Sequence, residues 1–307
     1  MARPSHPDAR IAAVAARHHG IVRLTDALAC GLTERMVQAR VSDGRWERVG
    51  QGVFRLASAP STPPQRLYAG ILAARGGALA ASASALALFS VGSFPAEPQI
   101  IVPPTASART PGVRVRRSPI AREDRTLFGV IPSTTAARAL LDVAPLVDEA
   151  TLDSHVDDVL DRRLATVSSV LGVIRRAPVG NGRWGAMRLR AALGPWLDGV
   201  RPGSPAEARL LRRLDGWGLP RPVKQHRVDL SGGRHVLLDL AWPRWHVGLE
   251  YDGSRHHGPR QERADVSREE ALLALGWWIG RADRHDLAPS STRLRDELRP
   301  RLEPRAA

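Results

Sequence analysis

The chain has 307 residues, enough for two or three domains at roughly 100–200 residues each. Its 43% hydrophobic and 25% charged content excludes wholesale disorder. One cysteine, Cys30, excludes an internal disulfide and a cysteine-built zinc cluster and fits a reducing, cytoplasmic compartment. No basic head followed by an apolar run opens the chain. The Ala-rich stretch 69–92 is interrupted by Arg75, Gly76 and Gly77, short of the about 20 strongly apolar residues that cross a membrane. Basic residues exceed acidic ones by 14, all but Lys224 being arginine, and the isoelectric point near 11.4 points to an anionic partner such as nucleic acid. The arginine bias, with 24 prolines, is also what the codons of a GC-rich genome produce.

Residues 1–9 read as a frayed terminus, followed by a helix over Arg10–His18 that stops at Gly20. Thr25 predicts a cap for a second helix ending at Cys30, and Thr33 caps a third that runs to Ser42. On that third helix Met36, Val37 and Val41 share one face, and Glu34, Arg35, Gln38 and Ser42 the other. Asp43-Gly44 marks a turn, and 46–56 (WERVGQGVFRL) reads as a two-stranded hairpin. Three helices and a hairpin predict a winged helix-turn-helix over residues 1–59, with Arg35 and Gln38 facing a DNA groove and Arg48 and Arg55 reaching phosphates. The bland counterpart is a small bundle with arginines on its surface. The segment GLTERMVQARVSDGRWERVGQGVFRL resembles the N-terminal domain of AbiEi-type antitoxins of type IV toxin–antitoxin systems. That resemblance implies operator DNA binding, repression of the protein's own operon and a cognate toxin as partner.

Pro60 to Pro64 (PSTPP) predicts a stiff linker. Residues 60–195 then form an α+β middle domain, similar to the middle of AbiEi-like proteins. Strands are expected at 98–102 (PQIIV) and 113–117 (VRVRR), and helices at Ser133–Ala144 and Thr151–Arg162. Asp153, Asp157, Asp158 and Asp161 lie on or near one helix face, a solvated surface or a metal site. Residues 180–185 read as a loop, and 195–205 as the next boundary.

In residues 196–307 Ser204 caps a helix beginning Pro205-Ala206-Glu207 and ending at Gly216 to Gly218. Strands follow at 223–230, 235–242 and 247–252, then a helix over 261–275 and a strand over 277–282. With 243–246 as a loop, Trp242 opposes Val247, Leu240 opposes Leu249 and Leu238 opposes Tyr251, an apolar face. Asp239 then sits across from Glu250, with Asp252 two residues on. Facing carboxylates repel unless a cation lies between them, so the hard oxygen set points to Mg²⁺ or Mn²⁺. The tryptophans Trp242, Trp245, Trp277 and Trp278 read as packing.

This pattern resembles PD-(D/E)XK nucleases, and most closely the group related to very-short-patch repair (Vsr) endonucleases. The matching residues are Asp239, the run Glu250-Tyr251-Asp252-Gly253-Ser254-Arg255-His256, Asp265 with Arg268, Glu207 and Gln225. The resemblance implies a restriction-endonuclease-like αβββαβ core over residues 196–307 in a multi-domain α/β chain. It also implies a metal held by Asp239, Glu250 and Glu207. Arg255, Arg260 and Arg263 are expected to neutralise flanking phosphates. Asp252 stands where the superfamily carries lysine. His256 or His257, a second metal on Asp252, or Lys224 from the neighbouring strand then supplies the missing function. Asp265 and Arg268 are equally well a surface ion pair, with Gln225 as support.

The expectation is a Mg²⁺-dependent DNA endonuclease, a phosphodiester hydrolase, targeted by a DNA-binding head. The alternative is a non-catalytic, antitoxin-like repressor that keeps the nuclease fold as a scaffold.

Overall fold

A computed structural model describes residues 6–74, 76–106, 110, 112–177, 182–197, 202–252, 268–288 and 290–302. The chain divides into two units, Met1–His155 with Arg162–Leu189, and Val156–Asp161 with Arg190–Ala307. Among the described residues no helix is long and apolar enough to cross a membrane.

The first unit opens with α1 (Pro7–Arg17), which starts three residues before the expected Arg10. Pro7 stands in the first turn, where its missing N–H costs nothing, and His6 Nδ1 accepts from Asp8 N at 3.3 Å. A short strand that the sequence did not announce, β1 (Ile21–Arg23), precedes α2 (Leu24–Ala29). The cap of α2 is the Asp26 carboxylate on the Arg23 amide, at 3.1 Å, rather than Thr25. Thr33 caps α3 (Glu34–Ser42) as expected, its hydroxyl accepting from Met36 N at 3.3 Å. The hairpin follows as β2 (Trp46–Gly50) and β3 (Val53–Leu56), and β1 completes an antiparallel sheet of order β1-β3-β2. Ile11, Ala15, Val22, Ala27, Cys30, Leu32, Val37, Trp46 and Phe54 close its core, the larger side chains each contributing about 1.5–3 kcal/mol by burial.

One face assignment on α3 changes. Met36 is 38% exposed while Arg40 is buried. Arg40 turns inward because its guanidinium bonds Asp8 Oδ1 at 2.7 Å and the Met36 carbonyl at 3.0 Å.

The proline-rich linker is shorter than expected. Pro63 and Pro64 begin helix α4 (Pro63–Ala74), and the Thr62 hydroxyl accepts from Gln65 N at 3.3 Å. The helix packs closely on the hairpin at Gly50, where an added Cβ would lie 2.5 Å from that of Ala73. Beyond it come β4 (Leu79–Ala80), α5 (Ser82–Leu88), β5 (Gln99–Val102), β6 (Arg114–Arg117), β7 (Arg125–Phe128) and β8 (Ile131–Thr134). These strands form a mixed sheet of order β6-β5-β4-β8-β7. Ser133 and Thr134 finish β8 instead of opening a helix, and α6 (Ala136–Val143) starts after the Thr135 cap. Then follow α7 (Glu149–Asp161), α8 (Val167–Arg175) and α9 (Gly182–Ala192). The expected loop at 180–185 thus contains the start of α9.

The second unit carries α10 (Pro205–Gly216), β9 (Val223–Asp229), β10 (His235–Trp242) and β11 (Val247–Tyr251). Helical residues 268–274 (α11), β12 (Trp278–Ala282) and α12 (Arg293–Leu302) complete it. The sheet order is β12-β11-β10-β9, with β11 and β12 parallel and the other pairs antiparallel. The expected register holds at Trp242↔Val247 and Leu240↔Leu249. Leu240, Trp242, Val247 and Leu249 pack with leucines of α10 and α12. Leu238 departs from the expected face: it packs with Val236, Ala241, Leu272 and Trp277. The reason is local, because β10 loses its regular pairing at Asp239, which has no ladder partner on β9 or β11, and Gln225 beside it has φ +49°.

Asp157 is not a solvated surface residue. It is buried, accepting from Arg212 at 2.8 and 2.9 Å and from the Trp196 indole at 3.0 Å. The tryptophans pack as expected, Trp242 and Trp277 in core clusters and Trp245 and Trp278 against them.

Candidate functional site

Two surfaces gather the residues singled out by the sequence. The first is the outward face of α3, where Glu34, Arg35, Gln38 and Ser42 are exposed and Val37 beneath them is fully buried. The Arg35 side chain makes no hydrogen bond or ion pair with another described residue. Arg48, expected to reach phosphates, has partners within the head. Its guanidinium lies 5.2 Å from the Phe54 ring centroid, over its own cross-strand partner, and donates to Gln38 Oε1 at 3.2 Å. Arg55 is likewise committed, to Glu47 at 2.6 and 2.9 Å and to the Ala59 carbonyl at 2.9 Å.

The second is a cleft of about 700 Å³ in the second unit, lined by Gly203, Ser204, Glu207, Asp239, Glu250, Asp252 and Arg268 among others. Strand pairing and the first turn of α10 bring together Glu207, Asp239, Glu250 and Asp252, residues spread over 46 positions of sequence. Each of the three inner carboxylates already has protein donors. Asp239 Oδ2 accepts from the Tyr251 amide at 3.0 Å, in place of a ladder bond, and Oδ1 faces the Gln225 amide at 3.3 Å. Glu207 accepts from the Gly203 amide at 2.8 Å, while Ser204 Oγ accepts from the Glu207 amide at 3.2 Å. Ser204 thus caps the helix, while Glu207 reaches back to the amide before the cap rather than to that of Ser204, so only half of a capping box is present. Glu250 is gripped through both oxygens by Arg268, one contact at 3.1 Å.

Burial pushes the Glu207 carboxyl above its ordinary range, and the nearby Asp239 charge adds to the rise against the Gly203 amide. Burial also raises Glu250; Arg268 opposes that rise and Asp239 reinforces it. The expectation that only a bound ion could reconcile Asp239 with Glu250 therefore needs correction. The two do not form a ladder pair, and the Arg268 guanidinium supplies the positive charge at Glu250.

The residues present do not fit a divalent ion as they stand. Among the described residues no group of three or more His, Cys, Asp or Glu could hold a metal, and the oxygens of the inner carboxylates are engaged. Lys224 stays outside the cleft: its buried ammonium donates to the Pro195 carbonyl at 2.7 Å. Arg209 and Arg281 line the cleft, and no sequence pattern singled them out. Arg268 was anticipated as a partner of Asp265 or a support, whereas its partner is Glu250. Arg255, His256, His257, Arg260, Arg263 and Asp265 lie outside the described residues.

Comparison with known proteins places a family on the first surface. Residues 9–57, from within α1 to just past β3, match the AbiEi_4 family, described as a transcriptional regulator, AbiEi antitoxin. Two uncharacterized proteins of Mycobacterium tuberculosis, from strains CDC 1551 / Oshkosh and ATCC 25618 / H37Rv, are each 34% identical over 128 residues. The match covers 38% of this chain and 46% of each relative, so the chain spans about half the length of the curated relatives it matches. The N-terminal part of this chain is therefore similar to an antitoxin-type regulator domain, and that similarity supports a DNA-binding, regulatory role.

Proposed function

We propose that this chain is a DNA-binding transcriptional repressor whose head is a winged helix-turn-helix, with α2 and α3 as the helix pair and β2–β3 as the wing. The observation that carries this reading is the division of α3 into a buried Val37 face and an exposed polar face bearing Arg35 and Gln38, inside the segment that matches a transcriptional regulator family. A helix of this kind fits the major groove, where base edges present distinct donor and acceptor patterns. The chain's positive excess supplies attraction to phosphate. A cognate toxin is the protein partner this reading implies.

A mobility-shift assay on DNA upstream of the protein's own gene tests it. The full chain shifts that fragment, Arg35→Ala weakens the shift at least about tenfold, and Glu250→Gln leaves it unchanged. Absence of a shift at low salt rejects the reading.

A second reading, phosphodiester hydrolysis assisted by Mg²⁺ or Mn²⁺ on a restriction-endonuclease-like core, is favoured by one observation. Glu207, Asp239, Glu250 and Asp252 line a single open cleft. It requires Glu250 to exchange Arg268 for an ion. Plasmid cleavage that needs the metal and is lost in Asp239→Ala and Glu250→Ala supports it; no cleavage, or cleavage indifferent to both changes, removes it.

A further inference from the structure

We infer that Arg48 is a positioning residue that holds Gln38 as a hydrogen-bond donor, so that α3 selects guanine at the base Gln38 reaches. This rests on the DNA-binding reading above and deepens it. Arginine carries only donors, so the amide atom it faces must be the Gln38 oxygen, and the amide NH₂ is left to point away. The guanidinium is itself seated, stacked over the ring of Phe54, which is buried in the head's core and pairs with Arg48 across the hairpin. The 3.2 Å bond thus ties the reading side chain to the wing.

The consequence is chemical. An unconstrained glutamine makes a bidentate contact with adenine, donating to N7 and accepting from the N6 amino group. Here the accepting oxygen already faces a cation. The carbonyl keeps a second lone pair, but an adenine amino group reaching it would set its hydrogens beside those of the guanidinium. Guanine presents two acceptors, N7 and O6, to the same edge, and both suit an outward NH₂ next to a positive charge. Cytosine, with its N4 amino donor, is disfavoured for the same reason as adenine.

The experiment is selection from a randomised duplex library with the full chain, repeated with Arg48→Ala, Arg48→Lys and Gln38→Ala, each checked for intact folding by circular dichroism. The wild type enriches guanine over adenine at one position by about tenfold, the scale of one good base contact. Gln38→Ala loses that preference. Arg48→Ala frees the amide oxygen and shifts the same position to adenine. Arg48→Lys, still a pure donor, retains guanine. A purely structural role for Arg48 would weaken binding without changing the preferred base. Adenine at that position in the wild type, or an unchanged motif in Arg48→Ala, overturns the inference while leaving DNA reading intact. No enriched motif from the wild type overturns both.

Discussion

Arg268→Ala tests whether the positive charge at Glu250 comes from the protein itself. The pair is bidentate, and its side chains are 33% exposed for Arg268 and 19% for Glu250. Breaking a fully buried pair costs about 3–5 kcal/mol because one charge is stranded, whereas exposed pairs are worth about 0–1 kcal/mol. An intermediate burial places the loss near about 2 kcal/mol at neutral pH. Urea unfolding of the full chain measures it, read from the midpoint at constant slope. Glu250→Gln in the same chain should recover most of the loss, since the amide no longer needs a cation, and the double-mutant cycle isolates the coupling. Arg268→Ala and Glu250→Gln effects that simply add would refute the pairing. So would an Arg268→Ala chain as stable as the wild type.

Two further outcomes follow from buried carboxyls. Asp157→Ala removes the carboxylate that accepts from the Arg212 guanidinium and the Trp196 indole N–H and should cost about 3–5 kcal/mol in urea unfolding, whereas Asp158→Ala on the same helix should stay within about 0.5 kcal/mol; equal losses would contradict the burial of Asp157. Glu207 carries a raised carboxyl in the fold, so its contribution to stability is fully present below its ordinary range and is lost as pH rises through the raised value. Glu207→Gln should therefore flatten the decline in stability between mildly acidic and neutral pH, and unfolding curves that fall in parallel for both chains would count against it.

Local signals carried most of what was legible. Thr33 and Ser204 announce their helices because a cap is a contact over three residues, and strand alternation at 235–251 places Leu240 against Leu249 and Trp242 against Val247. The same periodicity failed where the backbone departs from it: at Asp239 the ladder breaks, and Leu238 moves to the other cluster. Pro63 and Pro64 misled because two prolines in succession look like a linker, yet they suit a helix's first turn. The three-residue β1 is too short to alternate visibly, and α12 hides behind an arginine-rich composition with Pro300 inside it. For the cleft, the gathering of Asp239 with Glu250 could be read from strand spacing. The grip of Arg268 could not, since it joins a helix to a strand 18 residues away with no local period. Asp157 was missed for a similar reason, its partners lying 39 and 55 residues off.

The arginine at Glu250 also bears on how an acidic cleft can belong to a strongly basic protein proposed to bind DNA. Bare carboxylates repel phosphate, and a cluster of them would oppose any nucleic acid nearby. Here Arg268 pairs with Glu250, and Arg209 and Arg281 stand at the lining. A phosphate approaching the cleft therefore meets three arginines set among four carboxylates rather than carboxylates alone. The repressor reading needs nothing more from this unit than that arrangement. Hydrolysis needs it undone, with Arg268 withdrawn from Glu250 so that the carboxylate can take an ion. The two readings thus differ in the state of one ion pair, and they predict different effects of Mn²⁺ on the Arg268–Glu250 coupling energy. For the repressor the coupling is indifferent to the metal, and for the hydrolase it vanishes as the metal saturates.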